Sequence, residues 1–203
     1  MPAERWCPWP SAPGLDRGTP RELRPVAAWK DVVVVFTAPA LPADPATVAP
    51  ERDSLESFLD FHRAELLTKL DGLTEDQADR RLVGSLTTLH GLVRHMTKVE
   101  HVWFVRVLRG SDEPAPFGWP DVQDGDFILE DSDGLENDVA RYLAACERSR
   151  EIFGTLSMDD VGIHQRFGEV DVRWVMIHMI EEYAQHNGHA DIIRELIDGT
   201  TQS

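Results

Sequence analysis

The spacing of apolar residues along the chain changes near residue 50, and four long amphipathic stretches follow that point. In each stretch the apolar residues recur at intervals of three and four, which is the spacing of one face of an α-helix. The stretches cover about residues 54–73, 86–108, 134–156 and 172–197. Helices of this length, joined by two long connections, predict an all-α four-helix bundle over residues 51–203.

Residues typical of helix ends support these boundaries. Asp71-Gly72, Gly110 and Asp198-Gly199 stand where the first, second and fourth stretches should stop. Glycine readily adopts the backbone conformation that ends a helix. Thr74 can cap a short helical turn in TEDQADR, and the segment VGIHQRFGEVDV has some strand character. The connections of the predicted bundle therefore contain one short helical turn and some strand-like residues.

Residues 1–50 differ from the rest because proline is frequent there, as in CPWPSAPG and APALPADPATVAP. Proline lacks an N–H donor and interrupts helices, so this segment predicts an N-terminal Pro/Trp-rich arm that is extended or partly disordered. The arm also contains Trp6, Trp9, Trp29 and a short β-branched run, DVVVVF. An exposed apolar run invites aggregation, which keeps open an ordered arm docked on the domain or on a second subunit.

Charge and composition restrict the classes of partner. The formal net charge of −16 opposes binding to phosphate backbones and to anionic membranes. No apolar run approaches the ~18 residues needed to span a bilayer. The opening residues do not have the pattern of a secretory signal, and two cysteines, Cys7 and Cys146, do not make a disulfide framework. We therefore expect a soluble cytoplasmic protein with no nucleic-acid or membrane partner.

Ionisable residues interrupt the apolar face of the fourth stretch, in IHMIEEYAQHNGHADIIR. The predicted apolar arc is formed by Val175, Met179, Ile193, Leu196 and Ile197. At about 100° per residue, Glu182 and His186 fall in the middle of this arc, and His178 and His189 lie nearer its edge. Two ionisable groups four residues apart therefore share the side of the helix that should bury hydrocarbon.

The second stretch adds a third ionisable group. Its apolar arc is formed by Leu89, Leu92, Met96, Val99, Trp103 and Val107. His95 lies inside this arc, whereas His90 and His101 point away from it. An unpaired carboxylate or imidazole in hydrocarbon is costly, so His95, Glu182 and His186 need partners. Either they form a hydrogen-bonded network without metal, or they hold a divalent cation.

The cation alternative fits the residue types. Two imidazole nitrogens and one carboxylate oxygen suit Zn²⁺, Ni²⁺, Fe²⁺ or Mn²⁺, and zinc is our first choice. Three protein ligands leave a coordination position open, which is typical of catalytic rather than structural sites. The cores of helical bundles commonly hold such sites. The spacing alone leaves both alternatives open.

Two segments carry a family resemblance, TTLHGLVRHMTKVEHVWFVRVLRG and VRWVMIHMIEEYAQHNGHADIIRELIDG. They resemble the DinB-like superfamily of metal-binding four-helix bundles, and more narrowly its actinobacterial branch of unknown function related to mycothiol-dependent maleylpyruvate isomerase. The resemblance covers about residues 55–199 and implies that His95, Glu182 and His186 are metal ligands. Many superfamily members have histidine at position 182, whereas the mycothiol-dependent branch resembles this chain in having glutamate there.

The resemblance implies a metal-dependent enzyme that uses a low-molecular-weight thiol such as mycothiol. It would be an S-transferase or isomerase in which the divalent metal activates a thiolate for attack on an electrophile. His178 and His189 are candidates for orienting ligands or moving protons. The expected partners are a small-molecule thiol and an electrophile, and relatives suggest a monomer or homodimer.

Two other functions remain open at this point. A metal-dependent hydrolase could use the same three ligands to activate water in place of a thiol. A non-catalytic module could use the metal to stabilise a binding or dimerisation surface, and the tryptophan-rich arm would suit such a surface.

Overall fold

The computed structural model describes residues 34–117, 124–129 and 132–201. These residues are mostly helical, with one small antiparallel hairpin, which agrees with an all-α class. Most of the predicted N-terminal arm, including Cys7 and its tryptophans, lies outside the described residues. Among the described helices, none combines the length and the apolar composition needed to cross a bilayer.

The elements follow the predicted order, with boundaries that differ by a few residues. The described α-helices are α1 Glu51–Thr68, α2 Glu75–Ala78, α3 Leu89–Glu100, α4 Leu135–Gly154 and α5 Val172–Asp198. A π-helical segment, His101–Leu108, continues α3, and a single 3₁₀ turn, Gly125–Phe127, precedes α4. Strands β1 Val161–His164 and β2 Gly168–Asp171 pair as an antiparallel hairpin directly before α5.

The start of α2 has the predicted capping chemistry. The Thr74 hydroxyl accepts the Gln77 backbone N–H at 3.2 Å, and the Gln77 side chain accepts the Thr74 backbone N–H at 2.9 Å. This reciprocal pair satisfies two amides that the start of a helix would otherwise leave without partners, so the predicted cap is confirmed. Beside it, the Phe36 N–H donates to the Leu73 carbonyl oxygen at 2.8 Å. The end of the predicted arm therefore pairs with the turn after α1.

The second long helix is shorter and less regular than the apolar pattern predicts. It begins at Leu89 rather than Leu86, because the Thr88 hydroxyl accepts the Gly91 N–H at 2.9 Å and caps the helix there. From His101 onward it is π-helical, a conformation that is rare and often found at functional sites. The hairpin packs closely on this segment: a Cβ atom at Gly162 would clash with the Val107 carbonyl oxygen.

Helix α5 connects the hydrophobic core to the candidate site. It packs against α1 and α3, and α3 also packs against α4. Its buried residues are Val172, Val175, Met176, Met179, Tyr183, Asn187, Ala190 and Ile193. The predicted arc was wrong by a rotation of about 50°, since Leu196 is 52 % exposed and Tyr183 is fully buried. Glu182 and His186 therefore lie at the edge of the core and not in its middle.

A buried ion pair and two tyrosine hydroxyls beside it join four helices in the interior. Arg63 of α1 donates from Nε and Nη2 to the two carboxylate oxygens of Glu100 of α3, both at 2.7 Å. Tyr183 of α5 donates its hydroxyl to Glu100 Oε1 at 2.7 Å. The Tyr142 hydroxyl of α4 donates to the Arg63 carbonyl oxygen at 3.0 Å. Because both charges are buried, these hydrogen bonds replace the ones that water would make in the unfolded chain.

His90 and His101 are both buried, although they lie outside the apolar arc predicted for their helix. His90 hydrogen-bonds through Nδ1 to Asp79 at 2.7 Å and through Nε2 to Asp138 at 3.0 Å. Burial alone lowers the pKa of His90, but the two carboxylates outweigh burial and raise its pKa. His101 donates from Nε2 to the Glu113 carbonyl oxygen at 3.1 Å. Polar partners at the end of α2, on α4 and in a loop therefore cover the side of this helix that the pattern assigned to solvent.

Breaking the Arg63–Glu100 pair is expected to destabilise the fold strongly. An Arg63→Met substitution leaves the Glu100 carboxylate buried without its cation, which typically costs about 3–5 kcal/mol. Urea denaturation of wild type and variant measures the change in the free energy of unfolding. Arg173→Met, which removes surface ion pairs with Glu51, Asp159 and Asp171, is the control and should change little. If Arg63→Met costs no more than the control, the buried pair is not a major source of stability.

The contribution of His90 to stability is expected to depend on pH. Its pKa is raised above the unfolded value of 6.5, so its contribution is complete below that value and is lost as the pH rises through the folded pKa. The difference in free energy of unfolding between wild type and His90→Gln should therefore shrink from about pH 6 to about pH 9. Urea denaturation at both pH values measures this difference, and a difference that grows over this range would contradict the assignment.

Candidate functional site

Four side chains form one row along α5. Trp174, His178, Glu182 and His186 are spaced four residues apart, so each lies about one turn from the next on the same side of the helix. The start of the helix is fixed by Asp171, whose carboxylate accepts the Trp174 N–H at 2.7 Å. The row therefore runs in a defined direction along the edge of the hydrophobic core.

Glu182 is held between two histidines of this row. Its Oε1 lies 3.3 Å from His178 Nε2, and its Oε2 lies 3.4 Å from His186 Nε2. Two ligands bonded to one tetrahedral ion at about 2.1 Å also lie about 3.4 Å apart. The spacing of Glu182 and His186 is therefore compatible with a shared cation as well as with a direct hydrogen bond.

His95 of α3 faces this row from across the helix interface. The centroid of its ring lies 4.6 Å from that of His186. One potential ligand atom from each of His95, Glu182 and His186 lies within 4.8 Å of the other two. In addition, Nδ1 of His186 is buried and has no hydrogen-bond partner among the described residues. The fold thus brings together the three side chains that the sequence singled out as candidate ligands.

The protonation states of two of these groups suit ligand binding. Burial alone would raise the pKa of Glu182, but hydrogen bonds with His178 and His186 outweigh burial and hold its pKa well below the usual range. Burial lowers the pKa of His186, and the neighbouring His95 lowers it further against the opposing effect of Glu182. At neutral pH the site therefore contains an ionised carboxylate and a neutral imidazole, and both have lone pairs to offer.

Asp126, in the 3₁₀ turn, is a site residue that the sequence pattern did not reveal. Its Oδ2 lies 2.5 Å from His95 Nδ1, and its Oδ1 accepts a hydrogen bond from Lys98 Nζ at 2.8 Å. The neighbouring Phe127 ring stacks on His95, with 5.2 Å between the ring centroids. Burial would raise the pKa of Asp126, but His95 and Lys98 hold that pKa well below the usual range. The only signal in the sequence was an acidic turn, QDGDF, in a loop with no periodicity.

The other two predicted site histidines lie on either side of the cluster along α5. His178 contacts Glu182 and packs against Trp103 and Trp174, at ring-centroid distances of 4.6 and 5.0 Å. His189 is exposed, and its ring centroid lies 5.5 Å from that of His186. His178 is therefore fixed by its neighbours, whereas His189 is open to solvent.

A second group of potential ligands, Glu75, Asp79 and His90, also lies close together in the described part of the chain. Both ring nitrogens of His90 are hydrogen-bonded to carboxylates, and its raised pKa favours the protonated ring. A protonated imidazole has no lone pair for a metal ion. His90 therefore belongs to a structural ion-pair network with Asp79 and Asp138.

The comparison with protein families matches the part of the chain that contains these residues. A family model described as MST, mycothiol-S-transferase, matches residues 54–199. The matched segment covers most of the chain and includes every candidate site residue named above. A comparison with curated proteins finds no match.

Cys146, the cysteine that the structure describes, is not suited to act as a nucleophile. Its side chain is buried beside Glu100 and Tyr183, with Sγ 3.9 Å from an oxygen of each. Burial, followed by the charge of Glu100, raises the pKa of the Cys146 thiol to about 12. The thiolate is the reactive form of cysteine, so this thiol is unreactive at neutral pH in the folded protein.

The thiol of Cys146 is expected to react only after unfolding. A Cys7→Ser variant leaves Cys146 as the single thiol, which can be followed with a chromogenic disulfide reagent at about pH 8. The native variant should react slowly, and the same protein in denaturant should release one equivalent of chromophore rapidly. Rapid stoichiometric reaction of the native variant would mean that Cys146 is accessible and ionised.

Proposed function

Because the chain belongs to the mycothiol-S-transferase family, we propose that it is a metal-dependent enzyme that transfers a low-molecular-weight thiol of the mycothiol type to an electrophile. The convergence of His95, Glu182 and His186 within 4.8 Å carries the metal part of this proposal. The thiol part rests on membership of the family. A thiol-dependent isomerisation is the related reaction that the same residues would support.

The three residues fit a divalent cation in donor type, spacing and charge. Two imidazoles and a carboxylate suit zinc first, with nickel, iron or manganese as alternatives. Nε2 of His186, 3.4 Å from Oε2 of Glu182, is the nitrogen that this spacing offers to the cation, whereas its buried Nδ1, which has no partner among the described residues, is the kind of group that an ordered water satisfies. One carboxylate ligand leaves a dipositive ion with a formal charge of about +1, which favours an anionic thiolate.

An ion held by these residues would lower the pKa of a thiol and supply a thiolate near neutral pH. The residues around the ligands prepare that chemistry. His178 lies against Oε1 of Glu182 and keeps the carboxylate oriented, so that Oε2 faces His186. His189, exposed beside His186, is our candidate for accepting the thiol proton and passing it to solvent.

The transfer reaction needs no protein thiol. The sulfur of the cosubstrate forms a bond to the electrophilic carbon, and the bond from that carbon to the leaving group breaks. The leaving group departs with the bonding electron pair, while the thiol proton goes through His189 to water. In an isomerisation, the sulfur adds to a conjugated carbon and is later expelled, which regenerates the thiol. Both schemes agree with the unreactive state of Cys146.

The wider organisation of the chain is also a proposal. We propose that α1, α3, α4 and α5 form a DinB-like four-helix bundle within residues 51–203, preceded by an arm of residues 1–50. The packing of α1 on α5 and of α3 on α4 and α5 supports this arrangement. We further propose a cytoplasmic monomer or homodimer without nucleic-acid or membrane partners, as the net charge of −16 favours.

The ligand assignment predicts that His186→Ala removes the bound metal. Elemental analysis of wild-type protein from cells grown with zinc should give about one divalent ion per chain. The variant should give almost none, because the loss of one of three ligands removes most of the affinity of the site for the ion. Thiol conjugation to an aromatic chloride such as 1-chloro-2,4-dinitrobenzene, assayed with mycothiol, should fall with the metal. A helical circular dichroism spectrum shows whether the variant still folds.

The control for this experiment is a substitution at a buried histidine outside the candidate ligands. His101→Ala removes a buried histidine that bonds to Glu113 and should keep its metal. Full metal occupancy in His186→Ala would refute the ligand assignment. Metal-dependent ester cleavage without any thiol would favour the hydrolase. Loss of a dimer on metal removal, with no activity in either assay, would favour the non-catalytic module.

A further inference from the structure

We propose that Asp126 is a positioning residue that aligns His95 for metal binding. This inference rests on the proposed metal site and assigns a role to a residue outside the ligand set. A ligating histidine typically donates its other ring N–H to a carboxylate, which fixes the orientation of the ring and raises its basicity. In this structure the carboxylate of Asp126 is placed to accept the ring N–H of His95 in this way.

The hydrogen bond to Asp126 determines which nitrogen His95 can offer. Nδ1 of His95 lies 2.5 Å from Asp126 Oδ2, so the N–H at Nδ1 is donated to the carboxylate. The lone pair of the ring is then on Nε2. His95 therefore approaches Glu182 and His186 with an acceptor nitrogen, as metal binding requires.

The orientation of the His95 ring is fixed by a second contact from the same turn. Phe127, the next residue, stacks on the ring with 5.2 Å between centroids and 22° between planes. The turn sits directly on α3: a Cβ atom at Gly91 would lie 2.7 Å from the Phe127 ring. Two residues of one short turn, Asp126 and Phe127, thus contact the edge and the face of the His95 ring.

The charge of Asp126 is supported independently of His95. Its second carboxylate oxygen accepts a hydrogen bond from Lys98 at 2.8 Å, and its backbone carbonyl oxygen accepts one from Arg94 Nε at 3.1 Å. Asp126 is 1 % exposed. A buried carboxylate needs such partners to remain ionised, and Lys98 provides a cation without using the oxygen that faces His95. Asp126 can therefore act as a fixed acceptor for the imidazole.

The test is the affinity of the purified protein for zinc alone, measured by competition with a chromophoric chelator. Asp126→Ala is expected to raise the zinc dissociation constant about 10- to 100-fold. Asp126→Asn keeps an acceptor oxygen at the same place and should recover part of that loss. Cobalt substitution gives a second readout, because a tilted His95 ring would change the visible absorption spectrum of the Asp126→Ala protein relative to wild type.

The matched control is Asp79→Asn, because Asp79 makes the same Nδ1–carboxylate contact with His90 at 2.7 Å, in the structural network. Its zinc affinity should equal that of wild type even if its stability falls. Wild-type zinc affinity in both Asp126 variants would overturn the positioning role and leave the proposed function intact. A wild-type protein that binds no zinc would overturn the proposed function and this inference together. Equal losses in Asp79→Asn and Asp126→Ala would point to general destabilisation and would also overturn the role.

Discussion

The carboxylate of Glu100 is the group on which the arrangement of the helices depends. It accepts hydrogen bonds from Nε and Nη2 of Arg63 on α1 and from the hydroxyl of Tyr183 on α5, all at 2.7 Å. Hydrogen bonds are directional, so they restrict how α1 and α5 can rotate about α3. Glu100 follows His95 on α3 by five residues, and Tyr183 directly follows Glu182 on α5. The interaction that orders the interior therefore also sets the relation between the two helices that carry the candidate ligands.

The candidate site uses the boundary between this ordered interior and the surface. The carboxylate of Glu182 is 26 % exposed, and it is stabilised by histidines four residues before and after it. Full burial would make an ionised carboxylate more costly, and full exposure would leave it without fixed orientation. Its position at the edge allows both an ionised ligand and access for a small molecule. Asp126 and Phe127 complete the arrangement from a loop, so the site depends on α3, α5 and the chain between α3 and α4.

The sequence predicted the features that follow from the spacing of residues along helices. It missed the features that depend on contacts between distant parts of the chain. The spacing of residues located the long helices and the three candidate ligands, because residues four apart on a helix lie on the same side of it in any fold. Asp126 was missed since only the folding of an irregular loop brings it to His95. Tyr183 was omitted because it lies about 40° beyond the edge of the predicted arc at 100° per residue, yet its hydroxyl donates to Glu100 inside the core. The π-helical turns were missed because the spacing of Val99, Trp103 and Val107 also fits a regular α-helix.

Anomalous diffraction at the zinc absorption edge, from crystals of the zinc-loaded protein, tests the central claim most directly. The account predicts one strong peak at about 2.0–2.2 Å from a nitrogen of His95, a nitrogen of His186 and an oxygen of Glu182, with at least one coordination position left for a small molecule. A peak bound elsewhere, or a fully loaded crystal in which these three side chains only hydrogen-bond to one another, would contradict it.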